Sequence, residues 1–177
     1  MNPEEHSRLV QDIKYYAGLA GVDPAYIYGI SMADFFDDKE GLVPQYAIGF
    51  KRQAAKGKYG LALFGRHRKV SEKLAAMVGF LTRHFIYARY MTVDQIVAEI
   101  KEGEPPMMTC VCVPSFQTKA EWKAELLEGW LHDRITQRLQ TVVAIRNPDT
   151  IAETMGDQIN DMIEDYFIPV LSDTSVN

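Results

Sequence analysis

Apolar positions recur along this chain in two rhythms that alternate. Residues 59–64, Ile86–Met91, Met107–Val113, Thr141–Ile145 and Ile168–Leu171 form short apolar runs, and longer amphipathic stretches lie between them. Runs of four to seven residues that are apolar on both alternating faces predict strands covered on both sides, as in a parallel sheet. The intervening stretches carry the helical spacing. Val70, Leu74, Met77, Val78 and Leu81 predict a helix over 70–83, and Val93, Ile96, Val97 and Ile100 predict one over Val93–Lys101 with Thr92 as its N-cap. The longest helix is expected from about Lys119 to Leu139, with Trp122 and Trp130 eight residues apart and both anchoring it to the sheet. Asp149–Glu164 supplies one or two more helices, broken near Gly156. Strands that alternate with crossover helices make this an α/β chain with a mainly parallel five-stranded sheet.

The first third follows a different pattern. Leu9, Val10, Ile13, Tyr16 and Ala17 predict one leading helix over Glu4–Leu19, which stops at Gly18 and Gly21. Residues 20–36 are punctuated by Pro24, Gly21 and Gly29 and rich in aromatic residues, the composition of a connector that wraps a core without regular structure. A helix is expected over Pro44–Ala55, ended by Gly57. Residues 1–58 thus form a helical and wrapping segment, 59–171 the core and 172–177 a frayed tail. No repeat or linker divides them, so a single domain over 1–177 is the economical reading.

Composition narrows the class. The chain has 177 residues, 47% of them hydrophobic and 24% charged, with a net charge of −5. An acidic chain of this kind has no global attraction to nucleic acid or acidic lipid, though local basic patches remain. There is neither a signal-peptide pattern nor an apolar run long enough to span a bilayer, so no membrane association is expected and a cytoplasmic location is the default. Cys110 and Cys112 stand two apart on one face of a strand, a placement for core packing. His6, His67, His84 and His132 show no metal-ligand spacing, and Asp157, Asp161, Glu164 and Asp165 read as a solvated helix face without a calcium-loop pattern.

The candidate chemistry lies between the first strand and the helix that follows it. A loop in that position offers backbone N–H groups and the positive end of a helix dipole, which suits an anion. Gly65-Arg66-His67-Arg68-Lys69 is densely cationic, and Ser71 follows. The phosphate-loop pattern G-x-x-x-x-G-K-[ST], counted from Gly65, puts Val70 at the second glycine, Ser71 at the lysine and Glu72 at the hydroxyl. Ser71 beside Glu72, four residues after His67, lacks the elbow motif and orienting acid of a nucleophile site. Lys51, Arg52, Lys56 and Lys58, with Arg66 and Arg68, are candidates for a single DNA-backbone surface if the preceding helix lies beside the loop.

The order of elements and several local sequences resemble the AAA+ ATPases of the DnaC/IstB type, the helicase loaders and transposition helper proteins, from about Ala20 to Leu171. The residues that carry the resemblance are Ala-Gly-Val-Asp-Pro-Ala-Tyr with Met-Ala-Asp-Phe, then Tyr-Gly-Leu-Ala-Leu-Phe-Gly before the loop. Ala-Arg-Tyr-Met-Thr-Val-Asp-Gln-Ile-Val-Ala-Glu-Ile, the helix from Glu121-Trp122 to Asp133-Arg134, and Thr-Val-Val-Ala-Ile-Arg-Asn147-Pro continue it. The resemblance implies a P-loop, AAA+-like three-layer sandwich, here without the small helical lid. It also implies where the ATPase machinery belongs. The magnesium-binding acids fall near Val113–Ser115 and the arginine finger near Asp161–Ile163, and neither is present, while the polar sensor matches Asn147.

The expected function is therefore a catalytically inactive accessory in DNA replication, transposition or a mobile element. It would act by binding a protein partner (a helicase, transposase or related ATPase) or DNA, with Gly65, Arg66, His67, Arg68, Lys69, Ser71 and Asn147 as the remnant of a nucleotide or anion site. No cofactor is expected. One alternative is a divergent ATPase that uses Lys69 or Lys73; another is a subunit that lends Arg134 or Arg138 to a related ATPase.

Overall fold

The segments predicted as strands pair side by side through the middle of the chain. In the computed structural model, which describes residues 3–35 and 42–172, β1 (Gly60–Phe64), β2 (Ala88–Tyr90), β3 (Cys110–Val113), β4 (Gln140–Ile145) and β5 (Phe167–Leu171) form a five-stranded sheet in the order β2-β3-β4-β1-β5. All four pairings are parallel, with Gly60 opposite Thr141 and Phe167, and Cys110 opposite Ala88 and Gln140. Leaving β1, the chain crosses to the far edge at β2 and returns through β3 to β4. The expected tail, apart from Ser172, and the connector's last residue, Phe36, lie outside the described residues.

Alternation along the strands feeds two cores. Leu61, Leu63, Cys110, Cys112 and Val142 face one side, where α5 (Val70–Arg83) packs through Leu74, Met77 and Leu81. Val111, Val113, Val143 and Ile145 face the other. There they meet α6 (Val93–Lys101), α7 (Glu121–Thr136), α8 (Ile151–Met155) and α9 (Asp157–Tyr166). Each fully buried leucine or isoleucine stabilises the fold by about 1.5–3 kcal/mol. Both cysteines are free thiols in the first core. Gly156 breaks α8 from α9 as expected, and Thr92 closes a capping box on α6, its Oγ1 accepting from Gln95 N at 3.2 Å while Gln95 Oε1 accepts from Thr92 N at 2.8 Å.

The first third is more regular than its sequence suggested. The leading helix is two, α1 (Pro3–Gln11) and α2 (Ile13–Ala20), and the connector contains α3 (Ala25–Tyr28) and a 3-10 turn, Met32–Asp34. What orders the connector is tertiary. Gly79 of α5 has no side chain, and a Cβ there would collide with the carbonyl of Tyr26, so α3 settles directly on the α5 backbone. The helix α4 (Leu42–Ala55) is kinked at Gly49. Its Tyr46 hydroxyl donates to Gln140 Oε1, which places α4 at the amino edge of the sheet.

Two further expectations fail for one reason. The third strand was expected to begin at Met107, and Arg134 was a candidate for reaching a neighbouring subunit. Instead Arg134 is fully buried, and its Nη1 donates to the carbonyls of Pro106 and Met108, each at 3.0 Å. Its Nε donates to Thr141 Oγ1 at 2.9 Å and its Nη2 to the carbonyl of Gln140. Carbonyls that a longer strand would give to its neighbour are taken by the guanidinium. The burial lowers Arg134 to about 10, which leaves it protonated at neutral pH. Trp130 is buried and donates its Nε1–H to the Pro106 carbonyl at 3.0 Å. Trp122 is not its companion in anchoring α7: it lies 46% exposed, with Lys101 Nζ 3.9 Å from its ring centroid. α7 itself stops at Thr136, short of Leu139, because the chain reverses at Arg138, whose φ is 58°.

Replacing Arg134 by leucine removes all the guanidinium's hydrogen bonds and leaves the buried Met108 carbonyl without that donor, while the Pro106 carbonyl keeps Trp130; with about 1–3 kcal/mol for a stranded buried group, Arg134→Leu should lower urea stability by about 2 kcal/mol or more. Retention of wild-type stability would refute that role. The side-chain hydrogen bond with Cys110, and then burial, hold the Cys112 thiol well above its usual value, so it should react with a disulfide reagent at pH 8 only in denaturant.

Candidate functional site

The site forms where the topology parts. From β1 the chain runs to one edge of the sheet, while β5 lies on the other side of β1, and a crevice opens at the carboxyl ends of β1 and β4. The loop that enters it is pinned where it leaves β1. Gly65 N donates to the carbonyl of Ile145, the last residue of β4, at 2.9 Å, and Ser172 N donates to the carbonyl of Phe64 at 3.0 Å. Gly65 has φ +89°, and a Cβ on it would strike the Ser172 hydroxyl, so only glycine fits there without strain. His67 Nε2 lies 3.1 Å from the carbonyl of Phe64 and 3.3 Å from that of Val170. With two acceptors beside it, that nitrogen carries the proton, and the ring ties the loop to β1 and β5.

The crevice holds about 480 Å³. Its loop wall is Gly65, Arg66, His67, Val70 and Ser71; its far wall is Pro114, Ser115 and Gln117 from beyond β3, with Arg146 at the end of β4. Arg66 and Arg146 both line it, each just beyond the end of one of the paired strands β1 and β4, and among the described residues neither has a hydrogen-bond or ion-pair partner. Among the described residues no carboxylate lines it. Among the described residues no group of three or more His, Cys, Asp or Glu is placed to hold a metal ion. The described lining offers cations to an anion and holds no carboxylate of the kind that binds magnesium at the end of β3 in P-loop ATPases.

The structure distributes the expected residues unevenly. Gly65, Arg66, His67 and Ser71 line the crevice. Arg68 and Lys69 are exposed and do not; Lys69 adopts a left-handed conformation, φ 52°, immediately before α5. Lys73 is 5% exposed within α5, outside the lining. Asn147 lines a neighbouring recess, and it is Arg146, one residue earlier, that faces the loop. Sequence reasoning missed Arg146 and Gln117. The first was signalled by its place directly after a buried strand, the second by nothing local. The cations proposed as one surface are split. Lys58 Nζ donates to the Asp165 carbonyl at the amino edge, 2.8 Å away, with Lys51, Arg52 and Lys56 on the same side, while Arg66 and Arg68 lie at the carboxyl edge.

Solved structures share this architecture. The DnaC helicase loader matches with a TM-score of 0.64 at 11% identity, over 82% of this chain and 97% of its own. The fold is of the P-loop, AAA+ type. DnaI matches with a TM-score of 0.60 at 18% identity, over 84% of this chain and 90% of its own. AMPPCP-bound DnaA from Aquifex aeolicus matches at 0.64 and 11% identity over 84% of this chain, which spans 50% of the DnaA chain. No protein-family model matches the sequence, and no curated protein does. Among the described residues no helix is long and apolar enough to cross a membrane. In this fold the loop Gly65–Lys69 joins β1 to α5, and Pro114 and Ser115 stand beyond β3.

Gly65→Ala should strain the loop by about 1–2 kcal/mol and lower the melting temperature by roughly 2–8 °C, with a normal far-ultraviolet spectrum. An unchanged melting temperature would show that the left-handed turn is not required.

Proposed function

We propose that this chain is a DnaC-like accessory of DNA replication that holds an anionic group in its crevice and does not turn a nucleotide over. The observation that carries the reading is the lining: two arginines, after the adjacent strands β1 and β4, and no carboxylate among the described residues. Phosphoryl transfer in P-loop ATPases depends on a lysine at the phosphates and on magnesium held by a hydroxyl and an acid. Here Val70, Ser71 and Glu72 occupy the loop positions, and Glu72 adds negative charge to the first turn of α5. Lys69 and Lys73, the candidates for a substitute lysine, both stand outside the lining. Asp161–Ile163, the expected finger position, falls within α9 and offers no cation.

Such a protein works by binding. The likeness to a DnaC helicase loader supports a helicase or a related ATPase as the partner and favours replication over transposition. DNA contact through either of the two separated basic clusters is compatible with this role, since backbone phosphates require only clustered cations.

The test is thermal unfolding with inorganic pyrophosphate in EDTA, paired with a phosphate-release assay in magnesium and ATP. Pyrophosphate should raise the melting temperature by a few degrees. Arg66→Ala and Arg146→Ala should each weaken binding about tenfold, and Arg68→Ala should leave it within about twofold. ATP should release no phosphate above background. Release abolished by Lys69→Ala would overturn the non-hydrolytic reading in favour of a divergent ATPase.

A further inference from the structure

Three recesses at the carboxyl edge share walls. Gln117 belongs both to the anion crevice and to a recess of about 270 Å³ that contains Asn147 and Thr150. Lys119 and Thr154 belong to that recess and also to a third, of about 580 Å³, between α7 and α8. The recesses therefore adjoin as a groove from the loop, past the ends of β3 and β4, to the space between α7 and α8.

Its charge is sorted by sign. Arg66 and Arg146 stand at one end; Glu121, Glu125, Glu128 and Glu153 stand at the other, with Lys119 where the polar middle begins. Among the described residues none of those six end charges has an ion-pair or hydrogen-bond partner within the chain. Glu121, Glu125 and Glu128 repeat along one face of α7, an arrangement whose mutual repulsion weakens a helix unless an outside cation relieves it. Beneath the acidic end the floor is apolar, made of Ala124, Ala152 and Met155.

We propose that this groove docks an extended segment of a protein partner, with acidic side chains at one end of the segment and lysines or arginines at the other. Charge complementarity selects that occupant. A nucleic acid strand, anionic throughout, would be attracted at the arginines and repelled along α7, and a uniformly basic segment would meet the reverse. The inference rests on the preceding reading only in that the chain acts through a protein partner. Because the arginine end is the anion crevice, pyrophosphate and the segment compete.

The probe is a fluorescent synthetic peptide with an aspartate block, a Gly/Ser/Gln spacer and a lysine block, measured by anisotropy against an isomer of the same composition whose charges alternate. The sorted peptide should bind at least about tenfold more tightly, weaken with salt and be displaced by pyrophosphate. Arg66→Glu and Glu125→Lys, both at exposed positions, should each reduce its affinity about tenfold, while Arg52→Glu at the opposite edge should not. Equal affinity of the two isomers, or indifference to Glu125→Lys, overturns the groove and leaves the anion crevice standing. So does tighter binding of a single-stranded oligonucleotide that Glu125→Lys strengthens. Phosphate release from ATP overturns the non-hydrolytic reading and leaves the groove standing.

Discussion

A buried guanidinium whose partners among the described residues are carbonyls and a hydroxyl fixes the middle of this molecule. Arg134, near the end of α7, reaches across the amino edge of the sheet and donates to the carbonyls of Pro106, Met108 and Gln140 and to the Thr141 hydroxyl. Those acceptors belong to the segments that lead into β3 and β4. One side chain therefore sets where two central strands begin, and Tyr46 extends the network by donating to the Gln140 side chain from α4. A buried charge is costly unless its hydrogen-bonding capacity is filled. Here carbonyl dipoles fill it, so any shift of β3 against β4 would strand either the cation or its acceptors.

Register fixed at the amino edge is carried to the carboxyl edge by the strands. Cys110 lies opposite Gln140 and Val113 opposite Val143, so the chain leaves β3 at Pro114 facing the loop after β1. Phe116, fully buried, donates its N–H to the Ala144 carbonyl at 2.9 Å and holds that exit against β4. The crevice walls are thus set by backbone bonds on one side and by the Gly65 and His67 tethers on the other. The sheet ends at β5 with Pro169, whose nitrogen falls on the outer rim and removes a donor that a further strand would need. Edge pairing is discouraged there, while the carboxyl edge presents uncompensated charge.

Binding without turnover, the role proposed for this chain, draws on these features. Strand, left-handed turn and helix frame the crevice, and its lining includes arginines from beyond two different strands. Arginine recognises phosphate or carboxylate oxygens without a metal between them. The same edge continues into a groove whose far end is acidic, so electrostatics gives this face a direction as well as a sign.

The sequence by itself determined the α/β class and most of the elements, because strands buried on both faces and helices buried on one leave periodicities that no tertiary detail erases. The helix over 70–83, the Thr92 cap and the break at Gly156 follow from local chemistry alone. The loop at Gly65 was legible for the same reason, since only strand, glycine and helix start are needed to mark it. Tertiary structure decided what local pattern cannot carry. Trp122 and Trp130 read alike, yet eight residues turn a helix about 80° past a whole number of turns, enough to bury one ring and expose the other. Arg134 looked like any surface cation of a long helix until the carbonyls before β3 came to it. The basic residues before β1 and after it are neighbours in sequence, but a strand separates its ends by about 3.3 Å per residue and puts them on opposite edges. Arg146 and Gln117 joined the loop only through strand order, the one property of a parallel sheet that its sequence does not spell out.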